Sequence, residues 1–420
     1  MTTDQKRNKL FFGWYIVGAS FIITLYTGGI VHFGFTAIIE PMAEEFGWSY
    51  AKISLASSLR GFEMGLLAPV MGIFVDRLGP KKLLFIGGLT ISAGFLLLSR
   101  VSSLTMLYVA FITIAMGTST TTGTVLMTSV VNWFRRRVGL ATGILASGFA
   151  LGGVMVPVIT RLIDNYGWRT AMDIVGIGVL VIVLPLSFLV RHKPEQYGLF
   201  PDGEKSRIIE ENNSHTGVPY PESKISPGQI VRNRIFWHIG LAAMCHSLIA
   251  NAIVTHMMPY LSSVNISRSF SSMVALILPL MSIGGRLGSG WFIDRLGSKK
   301  VFAASFAFMT VGILLFSYID SARMWLLLPF ILIYAIGWGI TVTTRITAIR
   351  ECFGRARFGT ITGFISGIMM VGNVTGAPIA GWVYDTWGSY RGAWLSFAAV
   401  ALAGMIMVLT LPSSKPGKNI

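Results

Sequence analysis

The chain has 420 residues, of which 53% are hydrophobic and only 12% charged, and its mean hydropathy is +0.66. Soluble domains carry about 25% charged residues, so the composition excludes an ordinary water-soluble enzyme or binding module and points to membrane solvent. The formal charge of +16 would suit nucleic acid, but 24 of the 34 lysines and arginines fall on one side of a chain drawn with its N-terminus inside, seven on the other and three in apolar segments. This is the positive-inside pattern of a multi-pass inner-membrane protein with both termini cytoplasmic, and no nucleic acid is expected as a partner.

Twelve apolar spans are predicted, at about 12–38, 53–75, 83–100, 104–131, 140–162, 171–190, 235–261, 271–293, 301–318, 324–347, 359–382 and 391–411. The first run, from Phe11 to about Ile39, is too long for a cleavable signal and lacks a small-residue cleavage site. It carries His32 in its outer half. The second span carries Arg60 and Glu63, spaced so that their side chains share one helical face. Such a pair neutralises itself, or Glu63 takes up a proton and releases Arg60. After it comes the charged turn GIFVDRLGPKK, from Gly72 to Lys82, with Asp76 and Arg77. The fourth span is rich in hydroxyls (GTSTTTGTVLMTS from Gly117), which suits helix packing or a polar wall.

Residues 192–234 are polar and rich in Pro, Gly and charge, a linker between an N-terminal bundle at 1–191 and a C-terminal bundle at 235–420. The seventh span carries His246, Asn251 and His256, of which His256 is the favoured candidate and Asn251 the next. The eighth carries Arg286 and runs into Asp294-Arg295-Leu296-Gly297-Ser298-Lys299-Lys300, nearly a copy of the first charged turn. Arg286 stands eight residues before Asp294, hence about 12 Å inside the span at 1.5 Å per residue. Burying a guanidinium there costs at least about 2.5–3.5 kcal/mol, so it is expected to face a wet interior, where its planar fork suits a carboxylate. Tyr334 and Arg345 lie in the tenth span; the depth of Arg345 suits a gate or clamp between bundles. The small-residue runs Gly143, Gly148, Gly152 and Gly363, Gly367, Gly372, Gly376 have the spacing of close helix contacts. Cys245 and Cys352 give no disulfide framework.

The halves repeat at an offset of about 220 residues: Asp76 falls on Asp294, Phe134 on Phe353, Thr142-Gly143 on Thr362-Gly363 and Arg169 on Arg391. With the doubled G-x-x-x-D-R-x-G turn, the twelve spans and the linker, the chain resembles the major facilitator superfamily. It departs from the family's turn in having Pro80 and Ser298 before the two lysines. The resemblance implies an all-α membrane protein, its twelve transmembrane helices in two pseudo-symmetric six-helix bundles that alternate access to a site at their seam. It also implies a gating role for Asp76, Arg77, Asp294 and Arg295.

Phe12-Gly13-Trp14, the run from Lys193 to Leu199 and Arg286 resemble the superfamily's monocarboxylate-porter and oxalate/formate-exchanger branch. That branch keeps a carboxylate-binding arginine at the position of Arg286, and a polar residue of the seventh helix near it, which favours His256. Its animal members have an aspartate where this chain has Ser282, and a lysine near His32 and Phe33. Its dicarboxylate exchangers have a second cation where this chain has Asn373.

The expectation is a secondary carrier of a small, lactate-like monocarboxylate, moved with a proton and acting as a monomer. Arg286, His256, Asn251, Asn373 and Tyr334 are its candidate substrate residues. Glu63, Arg60, His256 and His32 are its proton-coupling candidates, and Arg345 joins the gating set. The alternatives are an organic-anion exchanger, a facilitator for a larger or dicarboxylic acid and, last, a non-transporting sensor. No nucleophile-base pair, metal cluster or nucleotide-binding loop stands out, so neither enzymatic activity, a cofactor, a metal nor ATP is expected.

Overall fold

The computed structural model describes residues 11–59, 71, 74, 75, 77–121, 124–134, 137–203, 232–353 and 358–411. The regular structure of these residues is helical. In chain order the helices are α1 (Phe12–Gly28), α2 (Ile39–Phe46), α3 (Tyr50–Ser58), α4 (Pro80–Ser99), α5 (Leu104–Thr121), α6 (Thr124–Trp133), α7 (Val138–Leu151) and α8 (Met155–Ser187). After the linker come α9 (Arg234–Ser263), α10 (Arg268–Leu296), α11 (Ser298–Ser317), α12 (Leu327–Phe353), α13 (Phe358–Trp387) and α14 (Arg391–Leu409). A π-turn at Gly29–Phe33 and a 3-10 turn at Gly34–Ala37 prolong α1.

Among the described residues ten helical runs are long and apolar enough to cross a membrane. One, Leu140–Ser187, is two spans in series, because the backbone leaves the helix at Gly167 (φ +79°). The second predicted span begins as α3 and then passes outside the described residues, with Arg60, Glu63 and, in the turn after it, Asp76. The described residues thus account for eleven of the twelve predicted spans.

The internal repeat is visible in backbone geometry. Gly79 (φ 75°, ψ 158°) and Gly297 (φ 82°, ψ 150°) close the two copies of the charged turn in the same left-handed conformation, and each starts a helix of 20 residues. A side chain at either glycine would be strained. The copies differ in how the next helix starts. Pro80 presets φ at the first position of α4, whereas the Ser298 hydroxyl donates to the Glu351 carboxylate at the end of α12.

Packing within each half uses backbone contact at small residues. A Cβ added at Gly152 would come within 2.7 Å of Gly29 N, and one at Gly148 within 2.7 Å of the Phe21 carbonyl. In the other half Gly372 faces the backbone of Met244 and Leu248, and Gly376 that of Leu248, so α13 lies directly on α9. Gly143, Gly363 and Gly367, expected to make the same kind of contact, have nothing within 4 Å.

On the opposite, far face the halves meet. The Asp385 carboxylate accepts from Tyr50 N at 2.9 Å and Ala51 N at 2.8 Å, capping α3 from the other half. Arg268, at the start of α10, donates to Asp164 at 3.0 Å, Glu40 at 3.1 Å and the Ala37 carbonyl. Thr36 Oγ1 accepts from Met258 N at 3.1 Å. These contacts seal the far face.

Candidate functional site

The site is built on α9, α10, α12 and α13 of the second half. α10 and α12 cross at glycines. Gly285 meets the Ile336 carbonyl, and a Cβ at Gly339 would collide with the Ser282 carbonyl and reach within 3.0 Å of Arg286 N. That backbone contact sets where the Arg286 side chain leaves its helix. Arg286 is half-buried, and its Nε is enclosed with no hydrogen-bond partner among the described residues. No ion pair of Arg286 or Arg345 is found among those residues. The sequence gives the reason: from residue 235 to 411 the only acids are Asp294, Asp320, Glu351 and Asp385, all at span ends or in loops.

Arg345, also half-buried, directs Nη1 at the thioether sulfur of Met369 at 2.7 Å. A thioether is a weak acceptor, so this contact does not neutralise the charge. Met369 lies on α13, so this contact of Arg345 is within its own half. His246 is 4% exposed, and neither of its ring nitrogens has a hydrogen-bond partner among the described residues.

His256, favoured from the sequence, is placed differently. It is fully buried at the far-face seal. Its Nε2 lies 2.9 Å from the Ala377 carbonyl and 2.9 Å from Ser54 Oγ, and its Nδ1 lies 2.9 Å from the Tyr390 hydroxyl. A carbonyl only accepts, so Nε2–H donates there and Nδ1 accepts from Tyr390. Both ring nitrogens are occupied, one of them at the contact between halves. Asn251 donates to the backbone carbonyl of Asn373 and accepts from Thr255 Oγ1 at 3.4 Å. This brings two of the expected substrate residues together, as a tie between α9 and α13.

Tyr334 is 1% exposed, stacks on Phe330 at 5.5 Å and has a hydroxyl without a partner among the described residues. His32 sits in the π-turn with its ring edge-on to Phe149 at 5.1 Å. The described hydroxyls of Thr118, Ser119, Thr120 and Thr121 bond back to their own helix, which is packing chemistry.

Of the gating set, Arg77 is exposed and Arg295 lies over the ring of Trp291, one turn back on its own helix, at 4.0 Å. Asp76 and the side chain of Asp294 lie outside the described residues, as do Arg60 and Glu63.

The sequence reading named His246 but passed over it, although depth along the helices could have singled it out. His246 is 12 residues from the linker-side start of α9, Arg286 eight from Asp294, and His256 22 residues in. At 1.5 Å per residue these are depths of about 18, 12 and 33 Å. His246 shares the level of the arginine to within about a turn, whereas His256 belongs to the far face.

The sequence profile of the Major Facilitator Superfamily matches residues 17–349 and, in an overlapping second match, 263–420. Monocarboxylate transporter 12 of Mus musculus is 25% identical over 418 residues, covering 95% of this chain and 84% of that protein. The Oxalate:formate antiporter of Oxalobacter formigenes is 23% identical over 412 residues, covering 96% and 94%. The solved structure of the nucleoside transporter NupG is similar with a TM-score of 0.76 at 14% identity, over 95% of this chain and 99% of that one, a likeness of fold alone. With its helical halves, its repeated turn and a match along most of its length, the chain belongs to the Major Facilitator Superfamily and is a multi-pass membrane transporter of that type.

Proposed function

We propose that this transporter carries a small organic monocarboxylate, with Arg286 as the cation that binds the carboxylate and a proton as the coupled ion. One observation carries the reading: a half-buried guanidinium at membrane depth whose Nε has no partner among the described residues. An unpaired cation in a poorly solvated site costs free energy that an arriving carboxylate offsets. The names of its relatives, a Monocarboxylate transporter and an Oxalate:formate antiporter, support a small organic anion as cargo.

In this reading the halves 1–191 and 235–420 rock about the seam, with residues 192–234 as their cytoplasmic linker. The far face then looks out of the cell, the linker side is cytoplasmic, and the two DRLG turns close that side in the opposite state. The working unit is a monomer in the inner membrane, and Glu63 with Arg60 carries the proton. Asn251, Asn373 and Tyr334 shape the site wall, and His32 lines the seam. His256 serves the seal.

Arg345 favours a second reading. A second half-buried cation, on the neighbouring helix α12 and with no ion pair among the described residues, suits an anion with more than one acceptor group, and so an exchanger of organic anions.

The test is uptake of labelled monocarboxylates by proteoliposomes, with and without an unlabelled anion inside. Uptake driven by an acid exterior alone supports proton symport, whereas an absolute need for internal anion selects exchange. Wild-type uptake by Arg286→Lys would remove the central role of the guanidinium fork.

A further inference from the structure

Among the described residues the ion pairs that cross between the halves both belong to Arg268, at the start of α10. Its Nη1 lies 3.1 Å from Glu40 Oε2 on α2 and its Nε 3.0 Å from Asp164 Oδ1 on α8, while Nη2 donates to the Ala37 carbonyl. The hydrogen bonds are matched here but the charges are not. One guanidinium answers two carboxylates, so the closed joint holds one negative charge in excess. The two acids are not equivalent. The Glu40 side chain is 14% exposed and that of Asp164 46%, so water solvates Asp164 far better.

Burial penalises the charged form of a carboxyl, and Glu44, one turn on along α2, adds a like charge. Among the described residues no cation besides Arg268 acts on Glu40. The other groups around it are the Ser262 hydroxyl of α9, Tyr50 of α3, and Tyr384 and Tyr390 of the second half, with Asp385 beside them as the cap of α3. A proton at Glu40 removes the excess charge. The neutral acid keeps a carbonyl oxygen to accept from Arg268, and the guanidinium is left one-to-one with Asp164. We propose that Glu40 is a proton-binding residue of the far-face gate: closing draws it and Asp164 onto a single guanidinium, and a proton taken from outside completes the closed joint.

Glu40 follows the first span, beyond the membrane-crossing run Phe12–Ala37. Burial raises its carboxyl above the ordinary 4.5, against the pull of Ser262 and Arg268. An open face returns the side chain to water and to its ordinary range. The closed state therefore holds the proton more tightly. Closure gains from it fully below the ordinary value and loses that gain as pH rises through the raised one. This is the sign that a proton-driven importer needs at its outer gate, because proton binding favours the step that turns the site away from the outside. Its place in transport rests on the proton-coupled reading above, to which it adds a site distinct from Glu63 and Arg60.

The gate is read in the full-length transporter, in proteoliposomes with one pH on both sides and no cargo, from the distance between spin labels at Ser102 and Ser321. Both positions are exposed on the far face, on opposite halves. As pH falls from neutral to below 4.5, the ratio of short to long distances is expected to rise several-fold. Glu40→Gln, a fixed stand-in for the neutral acid, keeps the high ratio at neutral pH and loses the response. Asp164→Asn leaves one carboxylate to one guanidinium and moves the midpoint of the response toward more acid pH.

A wild-type ratio that does not change with pH, or a Glu40→Gln protein that responds as the wild type does, overturns Glu40 as the proton site. A Glu40→Gln face that stays open at every pH makes the residue a structural pin and overturns it too. An unmoved midpoint in Asp164→Asn overturns the shared guanidinium as the cause. No cargo enters the measurement, so each of these results leaves carboxylate binding by Arg286 standing. Uptake that ignores an acid exterior while the gate still responds overturns proton-coupled transport and not the proton site.

Discussion

The far-face seal and the basic centre are built from the same kinds of side chain to opposite ends. At the seal, charged and polar groups are matched across the two halves: Arg268 with Glu40 and Asp164, Asp385 with the first amides of α3, His256 with Ser54. On the helices of the centre, α9, α10 and α12, Arg286 and Arg345 have no ion pair and His246 has no hydrogen bond among the described residues. A satisfied network holds one conformation, because opening it exposes each group to the loss of its partner. An unsatisfied basic cluster lies ready for an anion. The seal therefore belongs to the conformational cycle and the centre to the cargo.

Substitutions at the two places should fail in different ways. The largest effect is expected at the centre. Arg286→Gln removes the charge and the fork, and initial uptake in proteoliposomes should fall about a hundredfold, the size associated with losing one partner of a buried charged contact. Folding should change little. A Gln variant that transports normally would place the site elsewhere.

Next is Gly339→Leu, which forces a side chain against the Ser282 carbonyl and Arg286 N. Overpacking of this kind costs about 1–3 kcal/mol, so the melting temperature of the purified protein should fall. An unchanged value would mean that α10 and α12 are not in backbone contact at the arginine.

At the seal, Asp385→Asn weakens the cap on α3. A lost cap costs about 1 kcal/mol, enough to move the closed-to-open ratio of the far face about fivefold. Spin labels at Glu44 and Ser321, on opposite halves, should report a larger population of long distances, while substrate affinity changes little. Ser54→Ala should do the same more weakly, since His256 keeps Ala377 and Tyr390. Equal loss of affinity in both variants would break the division between seal and centre.

The smallest effect is one of pH. Burial raises the Glu40 carboxyl above its ordinary value of 4.5, with Ser262 and Arg268 pulling it back. The closed face therefore binds a proton more readily than an open face, on which Glu40 meets water. Closure should strengthen as pH falls toward the raised value and lose that contribution as pH rises through it. The same label distances, followed as pH rises from below the ordinary 4.5, should show this drift, and Glu40→Gln should flatten it.

Much of the fold was legible in advance because it rests on counts that the chain carries openly. Span length and the repeated Asp-Arg-Leu-Gly turn survive in the helices and in the matched backbone at Gly79 and Gly297. The glycine runs were legible only in part. Gly148, Gly152, Gly372 and Gly376 are helix contacts, but Gly143, Gly363 and Gly367 face open space. Spacing on one helix does not say whether a second helix lies opposite. The choice between the histidines turned on the same limit, since both are apolar-span residues with the same intrinsic chemistry.

From the sequence alone follow the membrane as solvent, the helical spans, the two-half plan and Arg286 as a cation too costly to bury without purpose. Each depends on composition and on short-range periodicity along one chain. Only tertiary structure decided that His256 is hydrogen-bonded on both nitrogens at the seal, that His246 is buried with no hydrogen bond among the described residues, and that Arg345 turns toward α13 in its own half. Those outcomes are set by which helices pass one another and at what depth. Hydrogen-bond satisfaction is a property of neighbours that lie far apart in the chain.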